Sequence, residues 1–192
     1  HLVAAIADAH SLETAGAKIL RPLADGRLGT AKAPWSGPVA LDGNLTVELL
    51  REIATSPLFA AADLRVAPAS PGKAERLLAL MGHSSATLYV NLEEAGLLCQ
   101  TSFSGSADAA QSLIAKGAHR VLVTHGDNPT TEATGDDLIT LPPPPVLVTR
   151  VTGAGDTFMA AHIASEAQGL DRTAALGRAL DAAATYVSGE TP

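Results

Sequence analysis

Short, continuously apolar runs recur along this chain about once every two dozen residues, and stretches with helical spacing lie between them. Residues 39–42 precede a helix over 46–55 whose apolar positions are Val47, Leu50 and Ile53, with Asn44 placed to cap it. Residues 64–67 precede a helix over 71–81, and residues 87–90 precede one from Asn91 to about Cys99. A helix over 108–116, closed by Gly117, leads into residues 121–124. Runs this short and uniformly apolar read as strands buried on both faces. Strands separated by helices imply a mostly parallel sheet, so the expected fold class is α/β, a three-layer α/β/α arrangement. Such sheets bind ligands beyond the carboxyl ends of their strands.

The remaining segments read less regularly. Residues 1–8 form an apolar strand already under way, and residues 20–38 mix Pro, Gly, Ala and Ser into a loop or poorly ordered connection. Residues 137–141 and 146–149 read as late strands flanking the four prolines 142–145, which cannot sit in a central strand. Two helices end the chain, over 155–168 and 171–188, the second carrying Leu176, Leu180, Ala183 and Val187 on one stripe and stopped by Gly189. With 192 residues and 46% hydrophobic content the chain suits one compact domain. A net charge of −7 argues against nucleic acid or an anionic membrane as partner. No apolar run reaches the roughly 18 residues of a membrane span, and the single Cys99 cannot form an internal disulfide. A reduced, cytoplasmic setting is expected. The six histidines show no metal-binding spacing and no G-x-S-x-G elbow is present, which removes zinc and serine-hydrolase chemistry.

The chemistry concentrates at Thr152-Gly153-Ala154-Gly155-Asp156-Thr157-Phe158, where a glycine-rich turn opens a helix. Two glycines let an anion approach the backbone, and the first N–H groups of the helix point outward along its dipole. Asp156 stands where it could take a proton from a hydroxyl. An ordinary strand-to-helix turn explains the same letters, with an acidic residue favoured there by the macrodipole. A dinucleotide fingerprint needs glycine where Phe158 stands, and no Gly-Lys-Ser or Gly-Lys-Thr of a Walker A loop occurs. Asp8, Asp42, Asn44, Asn91, Thr124 and Gly126 also fall on the carboxyl edge of the inferred sheet. Each alone is a cap or turn residue; together they outline a site.

The segment Val151-Thr152-Gly153-Ala154-Gly155-Asp156-Thr157-Phe158-Met159-Ala160 resembles the C-terminal signature of the ribokinase-like (PfkB) carbohydrate kinases. That resemblance implies Asp156 as catalytic base and Gly153, Ala154 and Gly155 as an anion hole. Asn91-Leu92-Glu93-Glu94 is similar to the family's Asn-x-x-Glu motif, which implies magnesium and phosphate handling by Asn91 and Glu94. Thr124-His125-Gly126 is similar to its Thr-x-Gly nucleotide turn. ATP and Mg²⁺ are therefore the implied cofactors. The resemblance does not extend to the monovalent cation, because Arg150 and Val151 replace the Asp-Thr pair that helps to bind it. Within the family, residues 41–46, 68–74 and 91–95 look most like pseudouridine kinases, although residues 67–70 lack the aspartate common there.

The implied activity is transfer of the γ-phosphate to a hydroxyl of a small-molecule sugar or nucleoside, with Asp8, Asp42 and Asn44 on the substrate side and a homodimer among the allowed assemblies. Residues 1–192 would form the C-terminal part of a single ribokinase-like domain, with the first strands and a small β-sheet lid missing. The alternative is a non-catalytic nucleotide-binding remnant.

Overall fold

The computed structural model describes residues 9–189. Helix α1 (His10–Ala15), a 3₁₀ helix (Gly16–Leu20) and α2 (Arg21–Ala24) precede strand β1 (Pro38–Asp42). Then follow α3 (Val47–Thr55), a 3₁₀ turn (Pro57–Phe59), β2 (Asp63–Ala67) and a second 3₁₀ helix (Pro71–Leu80). The chain continues through β3 (Ala86–Asn91), α4 (Leu92–Cys99), α5 (Ser106–Ala115) and β4 (Arg120–His125). Strands β5 (Asn128–Thr134) and β6 (Asp137–Leu141) and helices α6 (Ala154–Ala167) and α7 (Arg172–Ser188) complete it.

Among the described residues six strands form one sheet whose spatial order is the chain order, β1-β2-β3-β4-β5-β6. Strands β1 to β4 are parallel, and β5 and β6 return antiparallel. The fold is the expected mostly parallel α/β one. Register aligns Asp42 with Ala67 and Asn91 with Thr124, so these strand ends share one edge. The two faces differ in chemistry. Leu64, Val66, Leu88, Val90, Val121, Val123 and Ala133 pack with Leu49, Leu50 and Ile53 of α3, Leu77 and Leu80, Leu98 of α4 and Leu113 of α5. Tyr89 and Leu122 look the other way, onto Phe158 and Met159 of α6 and Leu176 and Leu180 of α7.

Several elements differ from those expected of the sequence. Residues 71–80 wind as a 3₁₀ helix rather than an α-helix. Buried Ala74, Leu77 and Leu80 recur every three residues, the period at which a 3₁₀ helix stacks one stripe. Thr46, not Asn44, caps α3, its Oγ1 accepting the Leu49 N–H at 3.2 Å. Residues 146–149 form no strand; the Thr149 N–H instead donates to Val187 O at the end of α7. The region 20–38 contains α2 and an isolated bridge between Thr30 and Ala33. Strand β5 has no counterpart among the expected elements. The expected strand over residues 1–8, with Asp8, lies outside the described residues. No helix among the described residues is long and apolar enough to cross a membrane.

Candidate active site

The β1 exit is a compact polar turn. Asp42 accepts the Asn44 N–H at 3.0 Å on Oδ1 and the Asn44 side-chain amide at 2.6 Å on Oδ2. Asn44 Oδ1 in turn accepts from Lys73 Nζ. Gly43 donates to Ala67 O at 2.9 Å, and a Cβ on Gly43 would collide with the Pro68 carbonyl, so only glycine lets the β1 and β2 exits approach this closely. Ala69, just past β2, holds φ +64, a left-handed conformation costly for a residue with a side chain. Arg76 fixes the turn from below, donating to Gly43 O at 3.2 Å and Leu45 O at 3.1 Å.

At the β3 exit, Asn91 and Glu94 serve each other. Asn91 Oδ1 accepts the Glu94 N–H at 2.8 Å, and Glu94 Oε2 accepts the Asn91 N–H at 2.9 Å, a reciprocal capping box that starts α4. Glu94 is 7% exposed, and burial pushes its carboxyl above the usual carboxylate range against the opposing Asn91 hydrogen bond. Beside it, Thr124 Oγ1 leans toward Val90 O at 3.5 Å, and Gly126 turns the chain from β4 into β5 with φ +59. Asn91, Thr124 and Gly126 border an open cleft of about 830 Å³, walled by Leu97 and Phe103.

The glycine turn opens α6. Gly153 is its N-cap residue with φ +94, and no side chain caps the helix. The Gly155 and Asp156 N–H groups, in the first turn, precede the first N–H that bonds back one helical turn, that of Thr157 to Gly153 O. Asp156 is exposed. Thr157 closes the turn, donating from N and Oγ1 to Gly153 O at 2.9 and 2.8 Å.

The far end of α6 fixes where this turn sits. Glu166 accepts from Arg120 at 2.6 Å and from Arg65 at 2.5 Å, and Arg120 is the first residue of β4. Ten residues of helix span about 15 Å, and β4 from Arg120 to Thr124 spans about 13 Å. Phe158 lies edge-on to Tyr89 at 6.5 Å, near the carboxyl end of β3. Helix α6 therefore runs antiparallel to β4 and presents Asp156 on the edge shared by Asp42, Asn91 and Thr124.

Between these ends lies a buried ionic network. Glu132, fully buried, accepts from Arg120 at 2.6 Å and from Arg172 at 2.6 Å, and its other oxygen faces His162 Nε2 at 3.6 Å. Burial alone would raise the Glu132 carboxyl, but His162, Arg172 and Arg120 outweigh it and hold the group down to about 2. Tyr89 bonds His162 Nδ1 at 2.9 Å and accepts from Arg65 at 3.0 Å. Burial, only partly opposed by Arg65, pushes the Tyr89 phenol up to about 12.

A family model described as pfkB family carbohydrate kinase matches residues 35–191. The chain belongs to the pfkB family. The fold of this pfkB-family chain is shared with a carbohydrate kinase from Agrobacterium tumefaciens at 26% identity and TM-score 0.73, over 96% of this chain and 57% of that one. An adenosine kinase from Sinorhizobium meliloti matches at 18% identity and TM-score 0.66, over 78% of this chain and 48% of that one. A ribokinase from Thermotoga maritima matches at 20% identity and TM-score 0.66, over 82% and 51%. The chain thus spans about half the length of these solved relatives. A search of curated proteins finds no match.

Within the pfkB-family chain the donor set suits phosphate better than a bare metal. Among the described residues no three His, Cys, Asp or Glu side chains converge as a metal cage. Asn91 and Glu94 already spend one oxygen each on the capping box. They fit a magnesium ion whose ligands are mostly phosphate oxygens and water. Lys73, which the structure brings to Asn44, carries no sequence signal beyond being a lone cation in the Pro-Gly-Lys stretch after β2.

Proposed function

We propose that the protein is an ATP-dependent kinase that phosphorylates a hydroxyl of a sugar or nucleoside. The observation that carries this reading is the uncapped Gly153-Ala154-Gly155 turn with exposed Asp156, in a chain of the pfkB family. Asp156 takes the proton of the acceptor hydroxyl as its oxygen bonds to the γ-phosphorus and the bond from that phosphorus to the β–γ bridging oxygen breaks, ADP being the leaving group. The Gly155 and Asp156 N–H groups, backed by the α6 dipole, hold the charge that develops on the transferred phosphoryl oxygens. Thr124 and Gly126 would border the nucleotide, and the Asn91–Glu94 pair would hold magnesium through water. Bound magnesium would neutralise charge between the β- and γ-phosphates. Asp42, Asn44 and Lys73 lie on the same edge and face the acceptor side. Pseudouridine is the acceptor to try first, on the likeness of residues 41–46 and 91–95, but the family match does not single out that subgroup.

The test is Asp156→Asn in the intact protein. The amide is nearly isosteric and the anion-binding groups are backbone, so ATP affinity measured by calorimetry should hold. Turnover should fall by about 10²- to 10⁴-fold, the usual worth of a positioned general base. An unchanged kcat removes Asp156 from the mechanism. A wild type that binds ATP with magnesium yet phosphorylates no sugar or nucleoside favours the remnant.

A further inference from the structure

The segment leading into the glycine turn belongs to no strand, and Leu147 and Val151 are 83% and 61% exposed. What holds it is the end of α7. The Thr149 and Arg150 N–H groups both donate to Val187 O, at 2.8 and 3.2 Å, and Thr149 Oγ1 donates to the same carbonyl at 3.1 Å. Arg150 Nε donates to Tyr186 O at 2.6 Å, and its guanidinium lies over the Tyr186 ring, 3.9 Å from the centroid. The Tyr186 hydroxyl reaches back and donates to Thr152 O at 2.9 Å. Gly153 follows at once, and a Cβ there would stand 2.5 Å from that hydroxyl.

We propose that Arg150 and Tyr186 are positioning residues for the Gly153-Ala154-Gly155 turn, tying it to the carboxyl end of α7. The inference rests on the kinase reading, since what is positioned are the N–H groups and the Asp156 carboxylate of that site. Three physical reasons support it. A turn with two glycines has little stiffness of its own, so donors that must meet a developing charge need an outside reference. A cation at the end of α7 is favoured by the helix dipole and satisfies a terminal carbonyl. The flat guanidinium can bond that carbonyl and stack on the ring at the same time, which an ammonium does poorly. Tyr186 then serves as both the platform for Arg150 and the strut under Thr152.

The experiment compares wild type, Tyr186→Phe, Arg150→Lys and Arg150→Ala in the intact protein, reading amide hydrogen exchange, ATP affinity by calorimetry, and kcat and KM separately. Tyr186→Phe removes only the hydroxyl and keeps the ring, so the fold should survive, and unchanged exchange over residues 86–91 would verify that. Tyr186→Phe and Arg150→Ala should speed exchange over residues 149–156 by about tenfold or more. They should lower kcat by about 10- to 100-fold while KM moves less than about twofold, because misplaced groups act in the transition state. Arg150→Lys should fall between wild type and Arg150→Ala. Unchanged exchange over 149–156 overturns the proposal, and so does faster exchange with unchanged kcat. If the wild type transfers no phosphoryl group, the kinase reading fails instead, and the exchange data still decide whether α7 holds the turn.

Discussion

The two faces of the sheet are held by different physics. Under α3, α4 and α5 the contacts are aliphatic, from Leu64, Val66, Leu88, Val90, Val121 and Val123. Under α6 and α7, Tyr89 and Leu122 meet Phe158, Met159, Leu176 and Leu180, and Arg65, Arg120 and the fully buried Glu132 meet His162 and Glu166 of α6. Dispersion and apolar burial are non-directional and tolerate small slips, whereas a carboxylate held by two guanidiniums does not. The helix on the ionic face needs that precision. Phe158 and Met159 anchor α6 on Tyr89 and Leu122, and His162 and Glu166 add the directional contacts that fix the helix along its axis. The aliphatic face stabilises the molecule; the ionic face sets where the helix bearing the glycine turn comes to rest.

The largest test of that contrast is Glu132→Ala, which leaves Arg120 and Arg172 without their shared carboxylate and should cost about 3–5 kcal/mol in denaturant unfolding. Leu88→Ala on the opposite face should cost about 2–5 kcal/mol through cavity formation, with no change in the pH profile of stability. The ionic face should carry both an acid and an alkaline arm of that profile. Because the folded Glu132 carboxyl titrates near 2, below its ordinary 4.5, the stability it confers is present above pH 4.5 and is lost as pH falls toward 2. Because the folded Tyr89 phenol titrates near 12, above its ordinary 10.0, its contribution is intact below pH 10 and is lost as pH rises toward 12. Thermal midpoints across pH should lose the alkaline arm in Tyr89→Phe; an arm that persists would place the titrating group elsewhere. The smallest effect should come from Asn91→Ala, which removes the α4 cap and should cost about 1 kcal/mol on either account. A loss of nucleotide affinity beyond that stability change would mark Asn91 as more than a cap.

The aliphatic face was legible in the sequence because its signal is local: continuous apolar runs and helical spacing place β1 to β4 and α3 to α5 without reference to distant residues. So were the strand-end positions of Asp42, Asn91 and Thr124, since a parallel sheet puts every such exit on one edge. The ionic face was not legible. Arg65 sits in the middle of a buried strand and its partner Glu166 lies 101 residues away, a distance over which no periodicity speaks. Strand β5, Asn-Pro-Thr-Thr-Glu-Ala-Thr, reads as a polar loop until Glu132 is seen pointing into guanidiniums. Asn91-Leu92-Glu93-Glu94 was legible as a motif, but the same letters also satisfy a helix start, and sequence could not show that both oxygens were already engaged there.

The sequential strand order also governs how the molecule is made. Each strand from β2 to β6 pairs with the strand just before it in the chain, so the sheet and its aliphatic face close through contacts of modest sequence separation. Helices α6 and α7 follow all six strands in chain order, and until they dock, the other face stands open to water. An aliphatic surface there would invite half-finished chains to adhere to one another. Arg65, Arg120 and Glu132 set charges among Tyr89, Leu122 and Ile139 on that face, and these charges gain their Glu166 and Arg172 partners only when α6 and α7 dock.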